Sequence, residues 1–222
     1  MPAKPEGLRE RKKARTRASI ADAAIDLFGR HGFDRVTVAE VARAAEVSVA
    51  TVFNYFPTKE DLFFDRQDEI VSHLANVVRD RHPAEPFVAA CRRDMLALIE
   101  RGDWRVGLSP QMARFYTMVD ESPALQARSR LLLDRSVAVL TSAIAEELNT
   151  GQDDVAASSA AWILVALRTN LLAQVQRDTL NGLARPVIVD RLIRATNRAF
   201  DLLEGSIAGL GGGGTGPDRR SG

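Results

Sequence analysis

The chain has 222 residues, with 30 Lys+Arg against 29 Asp+Glu and a formal net charge of +1. It is long enough to bury a core as one large domain or two small ones. Its 45% hydrophobic and 27% charged content is globular and excludes global disorder and collagen-like repeats. A lone cysteine, Cys91, excludes an intrachain disulfide and fits a reducing cytoplasm. The longest apolar run, Ala160 to Leu167, is eight residues, against roughly 20 needed to span a bilayer. No membrane partner is expected, and the basic N-terminus lacks the apolar stretch of a signal peptide.

The elements in chain order are helices; no segment alternates in the manner of a strand. Ile20, Ala24, Leu27 and Phe28 mark one face of a helix from about Glu10 to His31. Thr37 caps a short helix burying Val38, Val41, Ala42 and Ala45. Ser48 caps another, with Val49, Val52, Phe53 and Phe56 buried, and Pro57 ends it. Thr58-Lys59-Glu60-Asp61 opens a fourth, whose stripe runs Leu62, Phe63, Ile70, Leu74, Val77 and Val78. Pro86 starts one to about Glu100, and Met112, Phe115, Tyr116 and Val119 lie on one near 104–119. Ser122-Pro123 starts a long helix with Leu133, Val137, Leu140, Ile144 and Leu148 inside. Asp153 starts the most apolar one, to about Asn181. Pro186 starts the last, with Val189, Leu192, Ile193, Thr196, Ala199, Phe200 and Leu203 on one face. The expectation is an all-α fold of about nine helices.

The near-zero charge conceals an uneven distribution. Residues 1–17 hold seven bases and two acids, residues 1–60 hold a surplus of three bases, and residues 61–222 have two more acids than bases. A basic arm suits a polyanion, although a solubilising tail has the same pattern. Eight of the 15 glycines fall in residues 205–222, which predicts a disordered tail.

Residues 37–56 are the informative stretch. Two short helices are separated only by Ala45-Glu46-Val47, with consecutive apolar stripes, as a helix-turn-helix requires. Ala50, Thr51, Asn54 and Tyr55 are left on the free face of the second helix. Small Ala50 allows close approach to a major groove, the Thr51 methyl suits a thymine methyl, and the Asn54 amide pairs with adenine N6 and N7. The Tyr55 hydroxyl and Lys59 suit phosphates. A helical hairpin with a merely solvated face has the same periodicity.

IADAAIDLFGRHGF (20–33), VTVAEVARAA (36–45) and VSVATVFNYFPTKEDL (47–62) together resemble the tetracycline-repressor (TetR) family of bacterial transcriptional regulators. The resemblance covers about residues 12–63. It implies a three-helix DNA-binding domain on a helical ligand-binding and dimerisation domain: a flexible basic arm over 1–9, the DNA-binding domain over 10–57, the second domain over 58–204 and the tail over 205–222. It places Thr37, Arg43, Ser48, Tyr55 and Lys59 at backbone-contact positions. Val49, Ala50, Thr51 and Asn54 fall where bases are read, with Val49 also readable as core. Thr16 and Arg17 open the first helix near phosphate, and the arm before them suits a minor groove. Three residues depart from the family's pattern. Glu46 stands where glycine is usual in the turn, which costs roughly 1 kcal/mol if the backbone is left-handed; Ala50 replaces a glycine and Phe53 a tyrosine.

The resemblance further implies a homodimer through helices 153–181 and 186–204, with the small residues 156–161 permitting close approach. Two recognition heads one DNA turn apart then imply a palindromic operator on double-stranded DNA. A small, apolar effector is expected among the middle helices, with Trp104, Met112, Phe115, Tyr116, Met118 and Trp162 as candidates and Arg168 and Asn170 as polar groups; each is also readable as ordinary packing. The segments at 122–128 and 153–157 are similar to C-terminal domains of the mycofactocin-regulator type and hint at an acyl effector. No catalytic constellation, metal-ligand spacing or cofactor motif is legible, so no enzyme, metal or cofactor is expected. The reading is a cytoplasmic DNA-binding regulator, most simply a ligand-released repressor. An activator, or a ligand-binding protein whose helix-turn-helix serves protein interaction, are the alternatives.

Overall fold

The computed structural model describes residues 7–109, 112–151 and 153–207, with side chains described throughout except at 8 and 205–207. Most of the expected arm and the tail beyond residue 207 lie outside the described residues. Among the described residues there are ten α-helices and no strand: α1 (Leu8–His31), α2 (Val38–Ala44), α3 (Val49–Tyr55), α4 (Lys59–Phe63), α5 (Gln67–Asp80), α6 (Phe87–Arg101), α7 (Met112–Glu121), α8 (Pro123–Leu148), α9 (Val155–Leu180) and α10 (Arg185–Ile207). A short 3-10 turn covers Trp104–Val106.

Four boundaries differ from the expectation. The helix opened by Thr58 is interrupted at Phe64, whose ψ of 48° leaves the helical region; the Asp65 carbonyl accepts instead from Arg17. Trp104 sits on the 3-10 turn, separated from α7 by left-handed Gly107. The basic N-terminal segment is already helical at Leu8, and α10 continues to Ile207, past the start expected for the tail.

The chain forms two compact units, one of residues up to 67 with 114–130 and one of 68–113 with 131 onward. The first is therefore larger than the expected 10–57. Its core explains why. Phe28, Phe33 and Phe63 pack together, and Phe63 stacks on Phe115 with centroids 4.4 Å apart and planes 19° from parallel. Ile20, Ala24, Val41, Val52, Phe56, Leu62 and Leu125 complete it, each almost fully buried. Burial of each large side chain contributes about 1.5–3 kcal/mol. A polar strut adds to the apolar one: the buried Asp61 carboxylate caps the Thr58 N–H at 3.0 Å and accepts from Gln67 at 2.8 Å and from Arg128. These long-range partners draw residues 114–130 into the unit.

The second unit buries one cluster around Leu74, Val78, Phe87, Leu140, Ile144, Leu164 and Phe200, and another around Met95, Leu98, Leu171, Val175 and Leu192. Ala157, Ala160 and Ala161 are buried inside it. The small residues thus serve this unit's own close packing more than an external face. Asp154 caps α9, accepting from the Ala157 N–H at 2.8 Å. An 18-residue window of α9 has mean hydropathy 1.4, long and apolar enough to cross a membrane by length and composition, which the unbroken run of eight understated. Its buried alanines and leucines make it a core helix of this unit, yet Trp162, Ile163 and Leu180 stay 40–53% exposed. On α10, Val187 and Leu202 are 47% and 73% exposed. Cys91 is buried, and burial pushes its thiol up to about 12.

Candidate nucleic-acid interface

The site is built by local rules. Thr37 forms a capping box at the start of α2: its Oγ1 accepts from the Glu40 N–H at 3.3 Å, and Glu40 Oε2 accepts from the Thr37 N–H at 2.7 Å. Those bonds hold the Glu40 carboxyl below its usual range. The end of α2 is a Schellman turn: the Glu46 N–H donates to the Arg43 carbonyl at 3.2 Å and the Val47 N–H to the Ala42 carbonyl at 2.9 Å. This geometry places Glu46 at a φ of +55°, so the strain expected of a non-glycine there is real. Ser48 then caps α3, accepting from the Thr51 N–H at 3.0 Å.

Val52 and Phe56 anchor α3 in the core, at 0% and 1% exposure. Their direction fixes the opposite face. Val49 and Phe53 are 40% and 45% exposed, and Ala50 and Asn54 are exposed beside them. Val49 and Phe53 were both expected to be buried; both lie outside the face that Val52 and Phe56 turn into the core. Val49 was also expected as a base contact, whereas Phe53 was expected only as buried. Thr51 is half-buried, with its hydroxyl 2.7 Å from that of Ser48, so its methyl is the freer group.

The expected backbone-contact residues divide. Thr37, Arg43 and Ser48 are exposed. Tyr55 is half-buried and packs against the core. Arg17 does not open α1; it sits more than two turns inside and acts as an internal strut. Its guanidinium donates to the Tyr55 carbonyl at 3.0 Å and to the Asp65 carbonyl at 2.6 Å, and lies 4.2 Å from the Phe56 ring centroid. Thr16 likewise donates to the Lys12 carbonyl within the helix, at 3.0 Å. Lys59 Nζ donates to the Asp34 carbonyl at 3.3 Å and rests 4.4 Å over the Phe33 ring. Burial pulls its pKa down, opposed by Asp34, Glu60 and Glu40. Arg11, Lys12 and Arg15 line an open groove with Ala45 and Val47 beside the α2–α3 turn. Sequence reasoning counted them only as charge. The i, i+4 spacing of Arg11 and Arg15 and the i, i+3 spacing of Lys12 and Arg15 were the signal that these bases line one side of the helix.

The effector candidates are shared between the two units. Phe115, Tyr116 and Met118 belong to the first unit, where Phe115 and Met118 pack against the core; burial pushes the Tyr116 hydroxyl up to about 12. Trp104, Met112, Trp162, Arg168 and Asn170 belong to the second. There Trp162 is 53% exposed and Asn170 faces an open groove. Arg168 alone of the set lines a narrow cavity within the unit's core. Among the described residues no group of three or more His, Cys, Asp or Glu is placed to hold a metal ion.

A capped, core-anchored α3 set across α2, with a basic helix face beside the turn, defines a helix-turn-helix DNA-binding domain. Residues 20–65 match the family of bacterial regulatory proteins, tetR family. The chain is 41% identical over 76 residues to the HTH-type transcriptional regulator LuxR of Vibrio harveyi, covering 31% of this chain and 37% of that protein. It is 36% identical over 67 residues to the putative mycofactocin biosynthesis transcriptional regulator MftR of Mycobacterium tuberculosis, covering 30% and 32%. The chain thus spans well under half the length of these curated relatives. Its fold is also that of the SmeT–triclosan complex, at 18% identity and a TM-score of 0.55 over 86% of this chain and 91% of that one.

Proposed function

We propose that the chain is a homodimeric transcriptional repressor that holds a palindromic operator and is released by a small, largely apolar effector. The observation that carries the DNA part is α3 itself. Val52 and Phe56 fix its rotation, and Val49, Ala50, Phe53 and Asn54 are left as an unobstructed reading surface. The exposed apolar residues of α9 and α10 support dimerisation, because a soluble monomer rarely leaves several large side chains of that kind uncovered together. A two-fold axis would place the two reading helices about 34–36 Å apart. The relatives' names as regulators support the regulatory role, and the SmeT–triclosan complex supports a small-molecule effector. A cytoplasmic location follows from a DNA partner.

The test is selection of duplexes from a random pool by the full chain, followed by fluorescence anisotropy on the recovered sequence. The expected result is an inverted repeat whose half-sites are centred one DNA turn apart, bound by two copies of the chain. Failure to enrich any sequence, or binding that ignores Asn54→Ala, overturns the reading.

A further inference from the structure

α1 is helical from Leu8, although Ile20 is its first residue in the core. The stretch from Leu8 to Ser19, about 18 Å of helix at 1.5 Å per residue, runs ahead of that residue. Its bases fall on different sides. Arg11, Arg15 and Ser19 form one i, i+4 column, and Lys12 and Thr16 form the column beside it. These five residues, with Ala45 and Val47 of the α2–α3 turn, line one open groove. Arg9 and Lys13 form a third column, turned nearly half a revolution away from Arg11 and Arg15, and do not line it.

Arg11, Lys12 and Arg15 are all exposed. An exposed base on a helix is usually answered by an acid three or four residues away. Glu10 is the one acid between residues 7 and 21, and its carboxylate accepts from the Gly7 N–H at 3.2 Å. The groove's lining residues include three bases and no carboxylate. Such a groove suits an anion.

Helix width decides which anion. A helix with its side chains is about 10–12 Å across, too wide for a minor groove of about 6 Å. The helical part of the basic segment therefore cannot take the minor-groove place that its sequence suits. The major groove, about 12 Å wide, admits one helix, and α3 is the one with the reading face. The sugar–phosphate backbone remains. The groove borders the turn that leads into α3 and so continues that helix's surface, and its small residues Ser19 and Ala45 leave room for a strand to come close.

We propose that the Arg11–Lys12–Arg15 face of α1 is a phosphate clamp, a preformed contact that grips the DNA backbone beside the pairs that α3 reads. It rests on the DNA-binding reading above and adds residues that supply affinity without base preference. The placement of the charges on the helix, more than their number, sets its strength.

The experiment is fluorescence anisotropy of the full chain on the selected inverted repeat and on a mixed-sequence duplex, from about 50 to 200 mM salt. Two double variants remove the same charge: Arg11→Gln with Arg15→Gln from the groove, and Arg9→Gln with Lys13→Gln from the column turned away. At about 0.9 per phosphate, the groove pair should lower the slope of log K against log salt by about 1.8 per bound copy on both duplexes. It should weaken binding about tenfold or more and leave the ranking of single-base operator variants unchanged. The other pair should change the slope by less than about 0.5. Both should unfold at the parent's urea midpoint, since all four side chains are exposed. Equal effects of the two pairs, as a merely solvated basic tail would give, overturn the proposal, and so does a changed base ranking in the groove pair. A chain that selects an operator but is indifferent to the groove pair keeps its reading head and loses the clamp. One that binds the mixed-sequence duplex through the groove pair but selects no operator keeps the clamp and loses the repressor reading. Binding to neither duplex overturns both.

Discussion

Arg17 on α1 donates to the Tyr55 carbonyl at the end of α3, 38 residues away in sequence, at 3.0 Å. With the second bond to Asp65 and the face of Phe56 beneath it, this side chain sets the tilt of the reading helix. Its removal should therefore act through position. Arg17→Ala is expected to lower stability by about 2 kcal/mol, from two charge-assisted bonds and a cation–π contact. DNA affinity should fall while the dependence of log K on log salt keeps its slope, because no phosphate contact is lost. Urea unfolding and anisotropy at several salt concentrations check both parts.

Phe53 and Phe56, three residues apart, should separate reading from folding. Phe56→Ala is expected to cost about 3–5 kcal/mol, as for any large buried aromatic. Phe53→Ala should change stability by no more than about 0.5 kcal/mol while weakening operator binding. Asn54→Ala should relax base preference at one position of each half-site, by about 1–3 kcal/mol of discrimination. Denaturation and binding to a set of single-base operator variants are the measurements.

Glu46 holds a φ of +55° in the turn between α2 and α3. Glu46→Gly should remove a penalty of about 1–2 kcal/mol and add back part of it through the entropy of the unfolded chain. A net gain of about 0.5 kcal/mol is expected, read as a small rise in the urea midpoint with an unchanged m-value.

Asp103 supplies a pH signature. The Arg105 side chain bonded to it is the main cause, and its carboxyl is drawn down to about 2 from an ordinary 3.8. A depressed carboxyl stabilises the fold above its unfolded pKa, and that stability is lost as pH falls through the folded one. About 2 kcal/mol should therefore disappear between roughly pH 4 and pH 2. Asp103→Asn should be less stable than the parent at pH 6 and lose less on acidification, measured by chemical unfolding across that range.

Leu202→Glu tests the exposed apolar face. At 73% exposure the change should leave the protomer's fold intact and shift sedimentation from dimer toward monomer at micromolar concentration. A dimer unaffected by it would place the interface elsewhere.

The features legible in sequence are those set by short range. Thr37 and Ser48 were readable as caps because a cap acts on an N–H three residues away. Val52 and Phe56 were readable as anchors from helical spacing, and the strain at Glu46 from the turn's missing glycine. What escaped depends on distant partners. Nothing near Arg17 in sequence shows that its donors belong to Tyr55 and Asp65, and nothing near Lys59 shows the Phe33 ring beneath it. The break after Phe63 goes with the Asp65 carbonyl that Arg17 bonds from far away in sequence, and the recruitment of Phe115 into the first unit comes from ring stacking across more than fifty residues. The expected effector residues, close together in sequence, are likewise divided between the two units.

Cys91 is the chain's one thiol, buried and kept protonated well above neutrality. A thiol in that condition reacts slowly with alkylating probes. The protein therefore arrives already silenced for labelling, and a cysteine introduced at exposed Ser19 would take a spin label alone. Two such labels in an assembled pair would report directly, by dipolar ruler, how far apart the reading helices stand before and after an effector arrives.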